Sequence, residues 1–411
     1  MEMNNEALEL HKKFRGKLEV KSRVPVNNQK MLALAYTPGV ADVSRLIHKK
    51  PDEVFNYTNR WNAVAIVSDG SAVLGLGNIG PEAALPVMEG KAVLFKEFAN
   101  VDAYPLCINT QDPEKIVEFV ETVSPTFGGV NLEDIASPQC FYIEKALREK
   151  LDIPVFHDDQ HGAAIIILAA LKNALKITGK KLSEIKVATV GIGAAGGAII
   201  KMLLAAGVKN IVACDKNGIL NKEYPETLLN AFHEEIALLI NPEGLTGTLK
   251  DAIRGADVFI GTSIGGLVNK DMVKSMAKDP IVFAVANPIP EIYPDEAKEA
   301  GARIVATGRS DFNNQINNVL VFPGLFRGAL SVRARDINDE MKLAAVDALA
   351  GFLPDAEINE NKIIPWAFDP GVGKAVAVAV ARAAVDSGVA RIMPDFEELK
   401  KIIDKDISQP R

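Results

Sequence analysis

Three observations predict an α/β protein. Short apolar β-type runs alternate with helix-type segments along most of the chain, a glycine-rich turn joins one such run to a helix, and two pairs of carboxylates fall where apolar elements end. The expected architecture is an N-terminal α/β substrate and metal domain over residues 1–157, a doubly wound Rossmann-type parallel-sheet domain over 158–390, and a C-terminal tail over 391–411. With 411 residues and 48% hydrophobic content the chain has enough material for two cores. A formal net charge of −7 argues against nucleic acid and against an anionic membrane surface, because both attract an excess of Lys and Arg. A small acidic substrate stays open if a cation or a local lysine recruits it.

Cys107, Cys140 and Cys214 form an odd, widely spaced set, which reads as reduced intracellular thiols. Met1 to Leu10 is polar and acidic, with no signal-peptide core. The longest apolar run, Gly162 to Leu171, is about half the ~20 residues that a membrane span requires. A soluble, cytoplasmic protein is expected.

Taken in order, Asn5 to Glu19 reads as an amphipathic helix and Val24-Pro25-Val26 as an extended piece. Met31 to Tyr36 is stopped by Thr37-Pro38-Gly39, which leaves Tyr36 either aimed into a cleft or packed on a turn. Val64 to Val67 is a β-type run leading through Ser68-Asp69-Gly70 to a first G-x-G-x-x-G at Gly75, Gly77 and Gly80. No acid-terminated second strand follows it, so it reads as a loop of close backbone approach rather than a dinucleotide turn. Pro81 opens a helix carrying Glu82 to Glu89, which delivers Lys91 just before an apolar run.

Asn131-Leu132-Glu133-Asp134 and His157-Asp158-Asp159-Gln160-His161-Gly162 are the stretches around which the chain is organised. Four carboxylates at the ends of buried elements are costly unless paired, and hard oxygen donors of this kind suit Mg²⁺ or Mn²⁺ rather than zinc. Glu133 and Asp134 can share an ion only at a strand end or turn, because neighbours in a regular strand point apart. The apolar helix from Ala163 to Leu171 follows at once, and the domain junction is expected between Leu151 and Gly162.

The second G-x-G-x-x-G, Gly191-Ile192-Gly193-Ala194-Ala195-Gly196, follows the strand Lys186 to Val190 and opens a helix. A further strand, Ile211 to Cys214, then ends in Asp215. This meets every condition of the dinucleotide fingerprint, with the pyrophosphate on the helix N-terminus and Asp215 on the ribose hydroxyls. Asp215 favours NAD over NADP, although Lys216 beside it keeps NADP possible. A helix is expected over Pro225 to Leu239, strands over 258–261, 281–285 and 303–307, and helices over Ser331 to Phe352 and Gly371 to Gly388. Asn287 lies at the carboxyl end of one strand, where such sheets bind ligands, and Asn318 closes an amide-rich loop whose side chains can donate to carboxylates.

These residues carry a likeness to a family. Tyr36-Thr37-Pro38-Gly39, Ser68-Asp69-Gly70, Leu74 to Gly80, Met88-Glu89-Gly90-Lys91, Phe127 to Asp134, Phe156 to Gly162 and Asn317-Asn318 together resemble the short bacterial malic enzymes over nearly the whole length. The resemblance implies oxidative decarboxylation of L-malate to pyruvate and CO₂ with NAD(P)⁺ and Mg²⁺ or Mn²⁺, with oxaloacetate as the intermediate. By position it implies Glu133, Asp134 and Asp159 as metal ligands with Asp158 beside them. It implies Lys91 as general base, Tyr36 as general acid, and Asn287 and Asn318 as substrate contacts. It also implies a homodimer or larger homo-oligomer, with the N-terminal helix expected at the interface. Two departures stand out: Ser71-Ala72-Val73 occupies the place where longer members carry a malate-binding arginine, and Ala163 stands where a threonine is common. Two rival readings are a metal-dependent oxaloacetate decarboxylase on the same scaffold and a noncatalytic dinucleotide-binding protein.

Overall fold

The computed structural model describes residues 2–408 apart from residue 74, so Leu74 of the first glycine-rich run and residues 409–411 of the tail lie outside the described residues. Two sheets organise the chain. The first has four parallel strands in the order β2-β1-β3-β4: β1 Ala63–Ser68, β2 Asp102–Cys107, β3 Gly129–Leu132 and β4 Val155–His157. The second has six, ordered β10-β9-β8-β5-β6-β7, with β5 Lys186–Val190, β6 Asn210–Asp215, β7 Gly218–Ile219, β8 Val258–Gly261, β9 Ile281–Ala284 and β10 Ile304–Thr307. All pair in parallel except the short β7, which runs antiparallel to β6. Strand order reverses between β5 and β8, the doubly wound arrangement whose crevice at the carboxyl ends of the strands receives ligands.

Register explains the acid cluster. Leu132 of β3 pairs with His157 of β4, so Glu133 and Asp158 emerge at the same level from neighbouring strand ends. The helix Asp158–Thr178 begins there and runs between the two sheets. It is 21 residues long and, by length and composition alone, apolar enough to cross a membrane, twice the run read from the sequence. Ile165 to Leu171 are all fully buried within the protein, which makes it the central core helix.

Several boundaries differ from the sequence reading for local reasons. β2 was not anticipated because it contains Pro105, a residue that a sheet tolerates at an edge, and β2 is an edge strand. The helix Pro81–Ala99 continues through Gly90 and Lys91 instead of stopping before them, since one face packs Ala84, Met88, Ala92 and Phe95 into the core. The helix expected over Ser331 to Phe352 starts only at Asp339 and runs to Ala350, while a separate helix, Phe322–Ser331, ends where it was expected to begin. Arg333 adopts a left-handed conformation (φ 51°), and Asn338 caps Asp339–Ala350 by accepting from Met341 N–H. Over Pro225 to Leu239 a 3₁₀ turn is followed by the helix Ala231–Ala237, whose cap Asn230 accepts from His233 N–H.

The C-terminal segment folds back instead of trailing away. Helices Phe322–Ser331, Val372–Asp386 and Phe396–Ser408 pack together, and the first of them lies against Pro81–Ala99 of the N-terminal half. A buried polar network ties them in. Fully buried Arg327 donates to Asn62 Oδ1 at 2.5 Å and Ser331 Oγ at 3.1 Å, and its guanidinium lies 3.5 Å from Asp406. Asn100 donates to the Asp406 carbonyl and Ser331 to its carboxylate, so strand β1 and the turn before β2 are joined to the last helix.

Candidate active site

A cleft of about 720 Å³ runs between the carboxyl ends of the two sheets. One wall carries Asp134, Ile135 and Asp159; the other carries Ala194, Ala195, Thr262 to Gly265 and Val285 to Ile289, with Asn317 and Asn318 closing one side. Asp134, Asp159, Ala194, Ala195, Asn287 and Asn318 line the cleft, whereas Tyr36 does not.

Carboxylate oxygens of Glu133, Asp134 and Asp159 lie within 4.8 Å of one another, close enough to share one ion. Asp134 sits at φ 53°, so the chain turns sharply after β3 and both neighbours can face the same point. Its N–H donates to Asp159 Oδ2 at 2.9 Å, which fixes the two loops together. Burial raises the carboxyls of Glu133 to about 7, Asp134 to about 9 and Asp159 to about 6. Repulsion from Asp159 and Glu133 adds to the rise at Asp134. Three such acids with hard oxygen donors fit a Mg²⁺- or Mn²⁺-sized cation.

Lys91 lies behind them, buried, with its ammonium donating to Glu133 at 2.5 Å and to Asp158. The ring of Phe322 is 4.2 Å from the ammonium. Burial pulls the lysine down, but the negative charges of Asp158, Glu133 and Asp159 pull it up further, so it is held charged. Asp158 is pushed up to about 7 by burial against the pull of Lys91, and it also accepts from Asn318. A Cβ at position 162 would lie 2.0 Å from Asp158 Oδ1, so Gly162 leaves the space in which that carboxylate sits.

On the opposite wall, Gly191 to Gly196 turns between β5 and the helix Ala194–Ala205. A Cβ at Gly196 would come 1.9 Å from the Gly191 carbonyl oxygen, and Gly191 itself needs φ 88°. Asp215, at the end of β6, accepts from Ile192 N–H at 2.8 Å and Lys216 N–H at 2.7 Å. The geometry fits a dinucleotide cradle. Gly196→Ala is expected to raise KM for NAD⁺ by at least about tenfold, as read from steady-state kinetics. Asn287 faces the cleft after β9, next to Gly308.

Tyr36 stands apart. It caps the helix Gln29–Ala35, is 69% exposed, and is not among the residues lining the cleft. Three supporting residues escaped sequence reasoning: Glu144, which gathers hydrogen bonds from the acid loop; His233, whose Nε2 is 3.2 Å from the Ile192 carbonyl; and Glu291, which accepts from Ser263 and Ala286 N–H groups. None has a local signal: Glu144 and His233 come from elements remote in sequence from what they hold, and Glu291, five residues after Ala286, also reaches Ser263 on a distant turn.

The fold and site define an NAD-binding oxidoreductase whose Rossmann-type domain faces a carboxylate cluster on a second α/β domain. Residues 15–148 match the malic enzyme N-terminal domain and residues 160–385 the malic enzyme NAD binding domain. The chain is 58% identical over 399 residues to a bifunctional malic/malolactic enzyme of Bacillus subtilis, covering 97% of each. It is 57% identical over 376 residues to an NAD-dependent malic enzyme of Geobacillus stearothermophilus, covering 92% of this chain and 78% of that one. The crystal structure of malic enzyme from Pyrococcus horikoshii superposes with a TM-score of 0.94 at 48% identity, covering 98% and 96%. Other relatives are NADP-dependent malic enzymes. The chain belongs to the malic enzyme family.

Proposed function

We propose that this enzyme oxidatively decarboxylates L-malate to pyruvate and CO₂ with NAD⁺ and Mg²⁺ or Mn²⁺. The carrying observation is a buried lysine held between two carboxylates, directly behind a three-acid cluster that faces a dinucleotide turn across one cleft. Glu133, Asp134 and Asp159 hold the cation, and Lys91, oriented by Asp158, takes the C2 hydroxyl proton. Asn318 and Asn287 donate to malate carboxylates, since Ala72 offers no guanidinium. Gly191 to Gly196 seats the pyrophosphate and Asp215 the ribose, whose carboxylate repels a 2′-phosphate and favours NAD. When bound, the cation supplies Lewis acidity at the substrate oxygens and disfavours the Lys91 ammonium, and NAD⁺ takes up the hydride.

Tyr36 is assigned the protonation of C3 after CO₂ leaves, in a homodimer. The helices Gln29–Ala35 and Val40–Lys49 bury none of their residues, and Leu32, Leu34 and Val40 are exposed beside Tyr36, an apolar arm suited to a second copy of the chain. Each arm would then bring its Tyr36 to the partner's site. Mixing inactive Tyr36→Phe and Lys91→Ala proteins under subunit exchange should restore activity, because one site in the hybrid is intact. A fully active monomer would overturn the assignment. Three free cysteines fit a cytoplasmic setting.

The test of function is reduction of NAD⁺ and NADP⁺ with L-malate, with and without Mn²⁺, alongside pyruvate. Metal-dependent reduced cofactor matched by pyruvate supports the reading, whereas oxaloacetate loss without malate oxidation promotes a decarboxylase. A metal test independent of turnover follows from the acids. Glu133, Asp134, Asp158 and Asp159 all have raised folded values, so the metal-free protein has their contribution in full below about pH 4 and loses it as pH rises through 6–9. Lys91 is charged in both folded and unfolded states across that window and adds no slope. The melting temperature of metal-free protein is expected to fall between pH 5.5 and 8.5, and Mn²⁺ to raise it more at the higher pH, by differential scanning fluorimetry.

A further inference from the structure

We infer that Glu144 is the positioning residue of the acid loop, setting metal affinity from behind the site without touching the ion. It lies on the helix Gln139–Lys150, buried, and its carboxylate collects three donors from one five-residue segment. Oε1 accepts from His157 N–H at 3.1 Å; Oε2 accepts from Gln160 Nε2 at 3.2 Å and from His161 Nε2 at 2.9 Å. That segment contains Asp158 and Asp159, and the three bonds flank them on both sides in sequence. Glu144 is not in the group whose oxygens converge within 4.8 Å, so it is no ligand.

The chemistry calls for a carboxylate here. Asp158 and Asp159 lie in the first turn of a helix, where the backbone N–H groups have no intrahelical partner, and His157 at the N-cap makes no side-chain cap bond. Glu144 takes the His157 N–H and the side chains of Gln160 and His161 instead. Its two oxygens accept from all three, whereas a glutamine has one acceptor and would turn its own N–H₂ toward donors. Without this hub the loop is free to rotate Asp159 away from Glu133 and Asp134. The cost falls on assembly of the ligand set, the usual effect of the outer partners that orient metal ligands.

The inference rests on the metal reading above, and the experiment separates the two. Mn²⁺ binding is measured on wild type, Glu144→Gln and His161→Gln by Mn²⁺ electron paramagnetic resonance and by Mn²⁺-induced thermal shift, with kinetics in parallel. Wild type that binds no Mn²⁺ sinks the metal reading itself. If wild type binds, Glu144→Gln should weaken Mn²⁺ by roughly 10–100-fold. Its kcat at saturating Mn²⁺ should stay within about threefold of wild type and its KM for NAD⁺ should not move, while Glu144→Asp recovers part of the loss. His161→Gln, which removes one of the three donors, should move Mn²⁺ affinity in the same direction by less, and it carries the test if Glu144→Gln does not fold. A lower melting temperature with unchanged Mn²⁺ affinity in folded variants would make Glu144 a packing residue and overturn the inference.

Discussion

Lys91→Arg is expected to abolish malate oxidation, lowering kcat by roughly 10²–10⁴-fold, while the folded protein keeps its thermal stability to within a few degrees. The argument turns on what the lysine is asked to do. Glu133 and Asp158 need a cation between them, and arginine supplies one; proton abstraction needs a base, and a guanidinium does not deprotonate near neutrality. Lys91→Ala should lose the same activity and also leave the carboxylates facing one another, so its metal-free form should melt lower than Lys91→Arg. Decarboxylation of added oxaloacetate, which has no hydroxyl proton to remove, should fall much less in both. If Lys91→Arg retains malate turnover within about tenfold, Lys91 is not the base.

Asp406→Ala is expected to be the most destabilising single change remote from the cleft. It removes the counter-charge of Arg327, whose guanidinium is fully buried and has its Nη2 without a hydrogen bond even in the native protein. Breaking such a pair from one side costs roughly 3–5 kcal/mol, because the remaining charge is buried and uncompensated. Removing both sides, as Arg327→Met with Asp406→Leu, should recover most of that, since well-packed apolar groups replace a buried pair at little net cost. Urea denaturation of both variants beside wild type reads the effect; equal losses in single and double variants would place the energy in the hydrogen bonds to Asn62 and Ser331.

The sequence made the chemistry more legible than the architecture. The Rossmann turn was readable because its glycines, strand and Asp215 sit within one local unit, each subject to a steric demand such as the 1.9 Å approach at Gly196. Glu133 and Asp158 were readable as acids at element ends, but their adjacency depends on the Leu132 to His157 pairing, which no local pattern encodes. Glu144 was invisible for the same reason. Its partners begin thirteen residues away on another element, and a glutamate on an amphipathic helix reads as a solvated one. Tyr36 was read correctly as the end of an element, but the structure leaves it exposed and away from the cleft, since a residue's place at a helix end does not say what it faces. Arg333 and Asn338 delayed to Asp339 the start of a helix that apolar periodicity placed at Ser331.

The return of the last helix to the first sheet also bears on how the chain is made. Asn62 waits for Arg327, and Asn100 waits for Asp406, 306 residues further on. At about 5–20 residues per second, a ribosome needs roughly 15–60 s to deliver that second partner after Asn100 has formed. For the larger part of that interval, until Phe322 and Phe326 are made, Phe95 lacks the two rings it packs against in the finished protein. Nascent chains stalled before Phe322 should therefore bind a chaperone that chains stalled after Asp406 release, and the N-terminal half is one domain in space but not in time.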